Sequence, residues 1–120
     1  MNRVNHFEFQ VKSPENAMKF YTNVFDWKFE KFGDQDYWFI VTGNEGQGIN
    51  GGIMPSPDGE ARTFNTVEVS SVDEYLEKVV ENGGEIVFPK NAIPGIGYVA
   101  YCKDPEGMIF GVYHTDSEAK

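Results

Sequence analysis

The chain has 120 residues, of which 40% are apolar and 15% aromatic, enough for one domain with a packed core rich in Phe and Tyr rings. Its formal net charge of −9, with no cluster of Lys and Arg, argues against a nucleic-acid role. A single cysteine, Cys102, excludes an internal disulfide and a thiolate zinc cluster, and no apolar run is long enough for a membrane span or a leader, so a cytoplasmic protein is expected.

Val4 to Val11 alternates, with Phe7, Phe9 and Val11 on one face and His6, Glu8 and Gln10 on the other, which predicts a strand. Ser13-Pro14-Glu15 then carries an N-cap, a first-turn proline and an acid at the positive helix end. Ala17, Met18, Tyr21 and Phe25 form the apolar stripe of a helix that ends near Asp26-Trp27. Lys28 to Phe32 and Tyr37 to Thr42 read as strands joined by the turn Gly33-Asp34-Gln35-Asp36, and Asn50 to Met54 as a short strand after the glycine-rich loop from Gly43. That loop lacks the G-K-[ST] ending of a phosphate loop and reads as a connection or a lid, with Pro94 to Gly97 a second rim element. Pro55 to Gly59 is turn chemistry and the expected linker.

After it the pattern restarts. Arg62 to Val69 is a strand with Phe64, Thr66 and Glu68 on one face and Asn65, Val67 and Val69 on the other. Ser71-Val72-Asp73-Glu74 is a capping box, Val72, Tyr75, Leu76, Val79 and Val80 make a second helical stripe, and Asn82-Gly83-Gly84 closes it. Glu85 to Phe88, Tyr98 to Cys102 and Met108 to Tyr113 are the remaining strands, the last pair joined by Asp104-Pro105-Glu106-Gly107. Cys102 reads as packing, His114 as exposed, and Thr115 to Lys120 as a patternless polar tail.

The two halves align at an offset of 58 residues, Ser13 on Ser71, Phe9 on Val67 and Tyr21 on Val79. This predicts an α+β fold of two βαβββ modules, a curved mixed sheet forming a cup with the helices on its outer face. The expected organisation is one domain over 1–120, with module one at 1–55, a linker at 55–61, module two at 62–114 and a tail at 115–120. The predicted concave face carries His6, Glu8, Gln10, Phe64, Thr66, Glu68, Ile109 and Tyr113. One of Tyr37 and Trp38 must join it by alternation, and Trp38 is the residue assigned. Apolar walls with a few polar groups suit a small ligand, and the acidity suits a cationic one or simply solubility.

His6-Phe7-Glu8-Phe9, the helix from Ser13 to Trp27 and the segment from Lys90 to Gly111 with its D-P-E-G turn resemble the vicinal oxygen chelate superfamily, which holds glyoxalases, bleomycin-resistance proteins and extradiol dioxygenases. The resemblance covers nearly the whole chain, and one departure is Asp26, where many relatives have Gly. It implies a divalent ion in the cup, held by His, Glu or Gln from the first and last strand of each half. His6 fills one such position. Phe64 stands at its counterpart, Gly111 at the last-strand position, and the first-half equivalent falls near Asn50 and Gly51, so no family-type metal set is expected and His6 is the sole candidate ligand among the four positions. Three readings follow: a metal-free small-molecule binder; an enzyme, either a metal-dependent lyase or dioxygenase using His6 with Glu8 and Glu68, or a metal-free isomerase or lyase with His6 or Glu8 catalytic; and a non-catalytic interaction module. The resemblance also implies a homodimer.

Overall fold

A computed structural model describes residues 1–120. Eight strands and two helices follow in chain order: β1 (Arg3–Val11), α1 (Pro14–Phe25), β2 (Lys28–Lys31), β3 (Trp38–Val41), β4 (Asn50–Pro55), β5 (Arg62–Glu68), α2 (Val72–Glu81), β6 (Glu85–Ile93), β7 (Gly97–Lys103) and β8 (Ile109–Thr115). The fold is α+β and repeats βαβββ twice, as the duplication predicts. The strands of the first half lie in the order β2-β3-β4-β1, and those of the second in the order β6-β7-β8-β5. In each half the first and last strands pair in parallel and the other pairs are antiparallel.

Two compact units result: His6–Phe64, and Met1–Asn5 together with Asn65–Lys120. The division falls inside β1 and β5 rather than at the turn from 55 to 61. That turn is held within the first unit. Arg62 donates to Gln10 Oε1 at 3.0 Å, to Ser56 Oγ at 3.2 Å and to Asp58 Oδ2 at 2.7 Å, and the Ser56 amide donates to the Val11 carbonyl at 2.8 Å. The first residues join the second unit by contacts with β5 and α2. The Asn2 amide donates to the Glu68 carbonyl at 2.6 Å and its side chain to the Tyr75 hydroxyl at 3.0 Å.

Local chemistry sets the helix ends. Ser13 Oγ accepts from the Asn16 amide at 3.3 Å, and Asp26 ends α1 in the left-handed region at φ 61°, a conformation Asp tolerates better than most residues with a Cβ. Ser71 Oγ accepts from the Glu74 amide at 3.2 Å. The start of α2 has a second acceptor. His114 Nδ1 takes the Val72 amide hydrogen at 2.8 Å, so His114 is a half-buried cap and not the exposed terminal residue its position suggests.

In the first unit α1 packs on the apolar face of β1, with Tyr21 5.5 Å from Phe9 and 5.0 Å from Trp27 between ring centres. Ile40 and Ile53 are fully buried. In the second unit Val69, Val72, Ala100 and Val112 form the core, with Tyr75, Leu76 and Phe110 against them. Cys102 is fully buried. The tail that reads as patternless is docked: the Gly95 amide donates to the Ala119 carbonyl at 2.9 Å, the Asp116 amide to the Ile96 carbonyl at 2.8 Å, and the Ala119 methyl is buried. One apolar residue and two backbone hydrogen bonds anchor a segment whose composition reads as loose. β6 runs five residues past Phe88; its register shifts at Phe88 and Asn91 accommodate Pro89 on a strand paired on one side only. No helix is long and apolar enough to cross a membrane.

Candidate functional site

Cross-strand register fixes which side chains share a face. Glu8 of β1 stands opposite Gly52 of β4, which stands opposite Phe39 of β3; Phe9 stands opposite Ile53, which stands opposite Trp38. Phe9 faces α1, so Trp38 lies on the helix side with Ile53, against its assignment to the ligand face. The Lys31 ammonium lies 5.7 Å from its ring centre. Tyr37, two residues before Phe39, is on the face of Glu8, where alternation alone left the choice open.

Tyr37 brings the polar residues of β1 together. Its hydroxyl donates to Glu8 Oε1 at 2.9 Å. His6 Nε2 lies 2.7 Å from the same oxygen and 3.2 Å from the hydroxyl. Glu8 is only 3% exposed, and its Oε2 is buried without a hydrogen-bond partner. Leaving a buried acceptor unmade costs about 1–3 kcal/mol, and a charged one more, so this carboxylate is held in place against a penalty. The space that lets Tyr37 arrive is a missing side chain. A Cβ on Gly52 would overlap the Tyr37 hydroxyl and lie 2.9 Å from ring carbon Cε2.

The second unit repeats the device with different chemistry. Thr66, which corresponds to Glu8 at the 58-residue offset, stands opposite Gly111 of β8. A Cβ there would come within 2.9 Å of Thr66 Oγ1 and 3.1 Å of the Tyr101 ring. Thr66 is 3% exposed and its hydroxyl has no hydrogen-bond partner. Register makes Gly52 the first-half counterpart of Gly111, replacing the Asn50–Gly51 estimate. In each half, therefore, a tyrosine ring covers a last-strand glycine beside a buried polar residue of the first strand. Sequence reading leaves Tyr37 as the alternative to Trp38 and misses Tyr101, for which glycine at matched strand positions is the signal available.

The other expected site residues are placed as follows. Gln10 is committed to Arg62 at the far end of β1. Glu68 accepts from Asn5 at 3.2 Å, on the face it shares with its register partner Tyr113 and with Ile109. Phe64 is buried. Asp58, with Arg62 donating to it and the Glu60 amide and Ser56 adding hydrogen bonds, is held well below the usual carboxylate range; the same pairing raises Arg62. Burial pushes the Cys102 thiol up.

The model of the glyoxalase/bleomycin resistance protein/dioxygenase superfamily matches residues 3–112. The chain belongs to this superfamily. Among its relatives, CFP32 of Mycobacterium bovis, which carries a provisional glyoxylase name, is 27% identical over 118 residues, covering 93% of this chain and 45% of its own. The chain thus spans less than half the length of this relative. The metallothiol transferase FosB of Shouchella clausii is 28% identical over 127 residues, covering 100% of this chain and 84% of its own. The Mn(II)-bound glyoxalase of Novosphingobium aromaticivorans superposes with a TM-score of 0.69 at 19% identity, covering 98% of this chain and 40% of that one. That likeness shows the fold and nothing of the activity.

The fold family implies a divalent metal, and the residues present do not fit one. With register moving the first-half position from Asn50–Gly51 to Gly52, two of the four positions are Gly52 and Gly111, whose side-chain space is taken by Tyr37, Thr66 and Tyr101, and a third is the buried ring of Phe64. The fourth, His6, has its Nε2 on Glu8. No group of three or more His, Cys, Asp or Glu side chains converges anywhere in the chain.

Proposed function

We propose that this superfamily member binds a small organic molecule through the polar face of β1, without the divalent metal of its metal-dependent relatives. The observation that carries the reading is the pair of tyrosine-covered glycines at the last-strand positions. Filling those positions with fixed aromatic rings leaves a hydrogen-bonded cluster, His6, Glu8 and Tyr37, where a ligand would find one histidine edge and aromatic walls from Tyr37 and Phe39, whose rings are 5.5 Å apart. Thr66, Glu68, Ile109 and Tyr113 stand as the ligand candidates of the second unit, and a homodimer as its assembly.

A thermal-shift screen of chelator-treated protein against a small-molecule library tests the reading. A ligand at 100 times its dissociation constant adds about 2.7 kcal/mol. A hit lost in His6→Ala and Tyr37→Phe supports the reading. A library without a single stabiliser, beside a stable complex with a protein partner, overturns it in favour of an interaction module.

A further inference from the structure

We propose that His6 is a metal-independent general base, oriented by Glu8 and Tyr37 to take a proton from an activated carbon acid; this rests on the small-molecule reading above. The hydrogen positions follow from the donors available. The Tyr37 hydroxyl spends its hydrogen on Glu8 Oε1 at 2.9 Å. The 2.7 Å approach of His6 Nε2 to that same oxygen therefore needs a hydrogen on Nε2, because a carboxylate only accepts. In the neutral ring the lone pair is then on Nδ1. Glu8 is 3% exposed and hydrogen-bonded to both partners, while the His6 side chain is 28% exposed, so the anchor is buried and the ring is reachable. A carboxylate behind an imidazole holds the tautomer and stabilises the imidazolium formed when the ring accepts a proton.

The same geometry limits the substrate. With its hydrogen given to Glu8, Tyr37 has none for an oxyanion developing on a substrate. The substrate must carry its own electron sink, which is the class of carbon acids whose conjugate base is delocalised or collapses by expelling a leaving group. In the step, Nδ1 bonds the hydrogen as the C–H bond breaks, and the bonding pair moves into the substrate's acceptor. An isomerisation returns the proton to another substrate atom; an elimination passes it to water.

The probe is 5-nitrobenzisoxazole, where loss of the ring C–H makes a nitrile and breaks the N–O bond to give a coloured cyanophenolate. Chelator-treated wild type should turn it over, and His6→Ala should lower kcat by about 100-fold, the lower end of general-base catalysis, with recovery on adding imidazole. Glu8→Gln, the positioning variant, should lower kcat with KM little changed. If His6→Ala does not fold, diethyl pyrocarbonate replaces it: modification of His6 should abolish wild-type turnover, hydroxylamine should restore it, and retained turnover after modification overturns the proposal. Turnover unchanged in folded His6→Ala, or appearing only when a divalent ion is added, overturns it as well. The unreactive isostere 5-nitrobenzotriazole separates the two readings. Stabilisation by it without turnover of the probe sinks the base and leaves ligand binding standing; absence of both stabilisation and turnover sinks the base, and the library screen then decides ligand binding separately.

Discussion

Gly52→Ala adds one methyl to a face where the Tyr37 ring already lies. The new Cβ would overlap the hydroxyl and sit 2.9 Å from Cε2. A tyrosine ring has two torsions and no way to shorten, so it must leave. Overpacking of this kind costs about 1–3 kcal/mol. The ring takes with it the hydroxyl that donates to Glu8, and losing a hydrogen bond to a charged group costs about 1.5–3 kcal/mol more. The total, about 2.5–6 kcal/mol, is a large share of the 5–15 kcal/mol that holds a domain together. At roughly 4 °C per kcal/mol it lowers Tm by about 10–24 °C. Urea denaturation of four proteins measures it: wild type, Gly52→Ala, Tyr37→Ala and the double variant. If the ring is the obstacle, the methyl costs little once the ring is gone, and the double variant is scarcely less stable than Tyr37→Ala. Gly51→Ala is the contrast. Its Cβ would overlap the backbone carbonyl of Phe7, so removing Tyr37 gives no relief. A loss under about 1 kcal/mol for Gly52→Ala, or equal losses with and without Tyr37, refutes the reasoning.

Other outcomes follow from single contacts. His114→Ala removes the acceptor for the first amide of α2 and should cost about 0.5–2 kcal/mol in urea denaturation, as loss of a side-chain cap does. Cys102, fully buried and with its thiol pushed up by burial, should not react with Ellman's reagent at neutral pH until the protein is unfolded. Asp58 has a depressed carboxyl, so its share of stability is present above the unfolded carboxylate range and is lost as the pH falls through the folded value. The difference between wild type and Asp58→Asn should therefore persist at pH 4 and close only in stronger acid, read by denaturation across that range. Light scattering at micromolar concentration should return the mass of a dimer, and a monomer would contradict the assembly proposed.

Alternation, caps and the 58-residue repeat were enough to place both helices and all eight strands, because period-two and helical stripes are local properties of the chain. The sequence pattern places only Glu85 to Phe88 in β6, and the strand's run on through Pro89 depends on its being paired on one side only, which is a tertiary fact. The tail was misread because its order depends on the buried methyl of Ala119 and on hydrogen bonds to residues 95 and 96, which are distant in sequence. At the site, His6 and Glu8 were legible as the polar face of one strand. The choice of Trp38 over Tyr37 went wrong at a strand start, where a one-residue shift reverses every face. Only the register of β3 on β4 and of β4 on β1 decides it. The covering of Gly52 and Gly111 by tyrosines is a tertiary fact. It turns two missing ligands into two filled positions.

The claim that this chain has exchanged a metal centre for a hydrogen-bonded His6–Glu8–Tyr37 cluster is tested most directly by titrating chelator-treated protein with Mn(II), Ni(II) and Zn(II) in a calorimeter. No stoichiometric binding is expected at micromolar concentrations, with the same weak heats for wild type and His6→Ala. One equivalent bound tightly by wild type and lost in His6→Ala would contradict it.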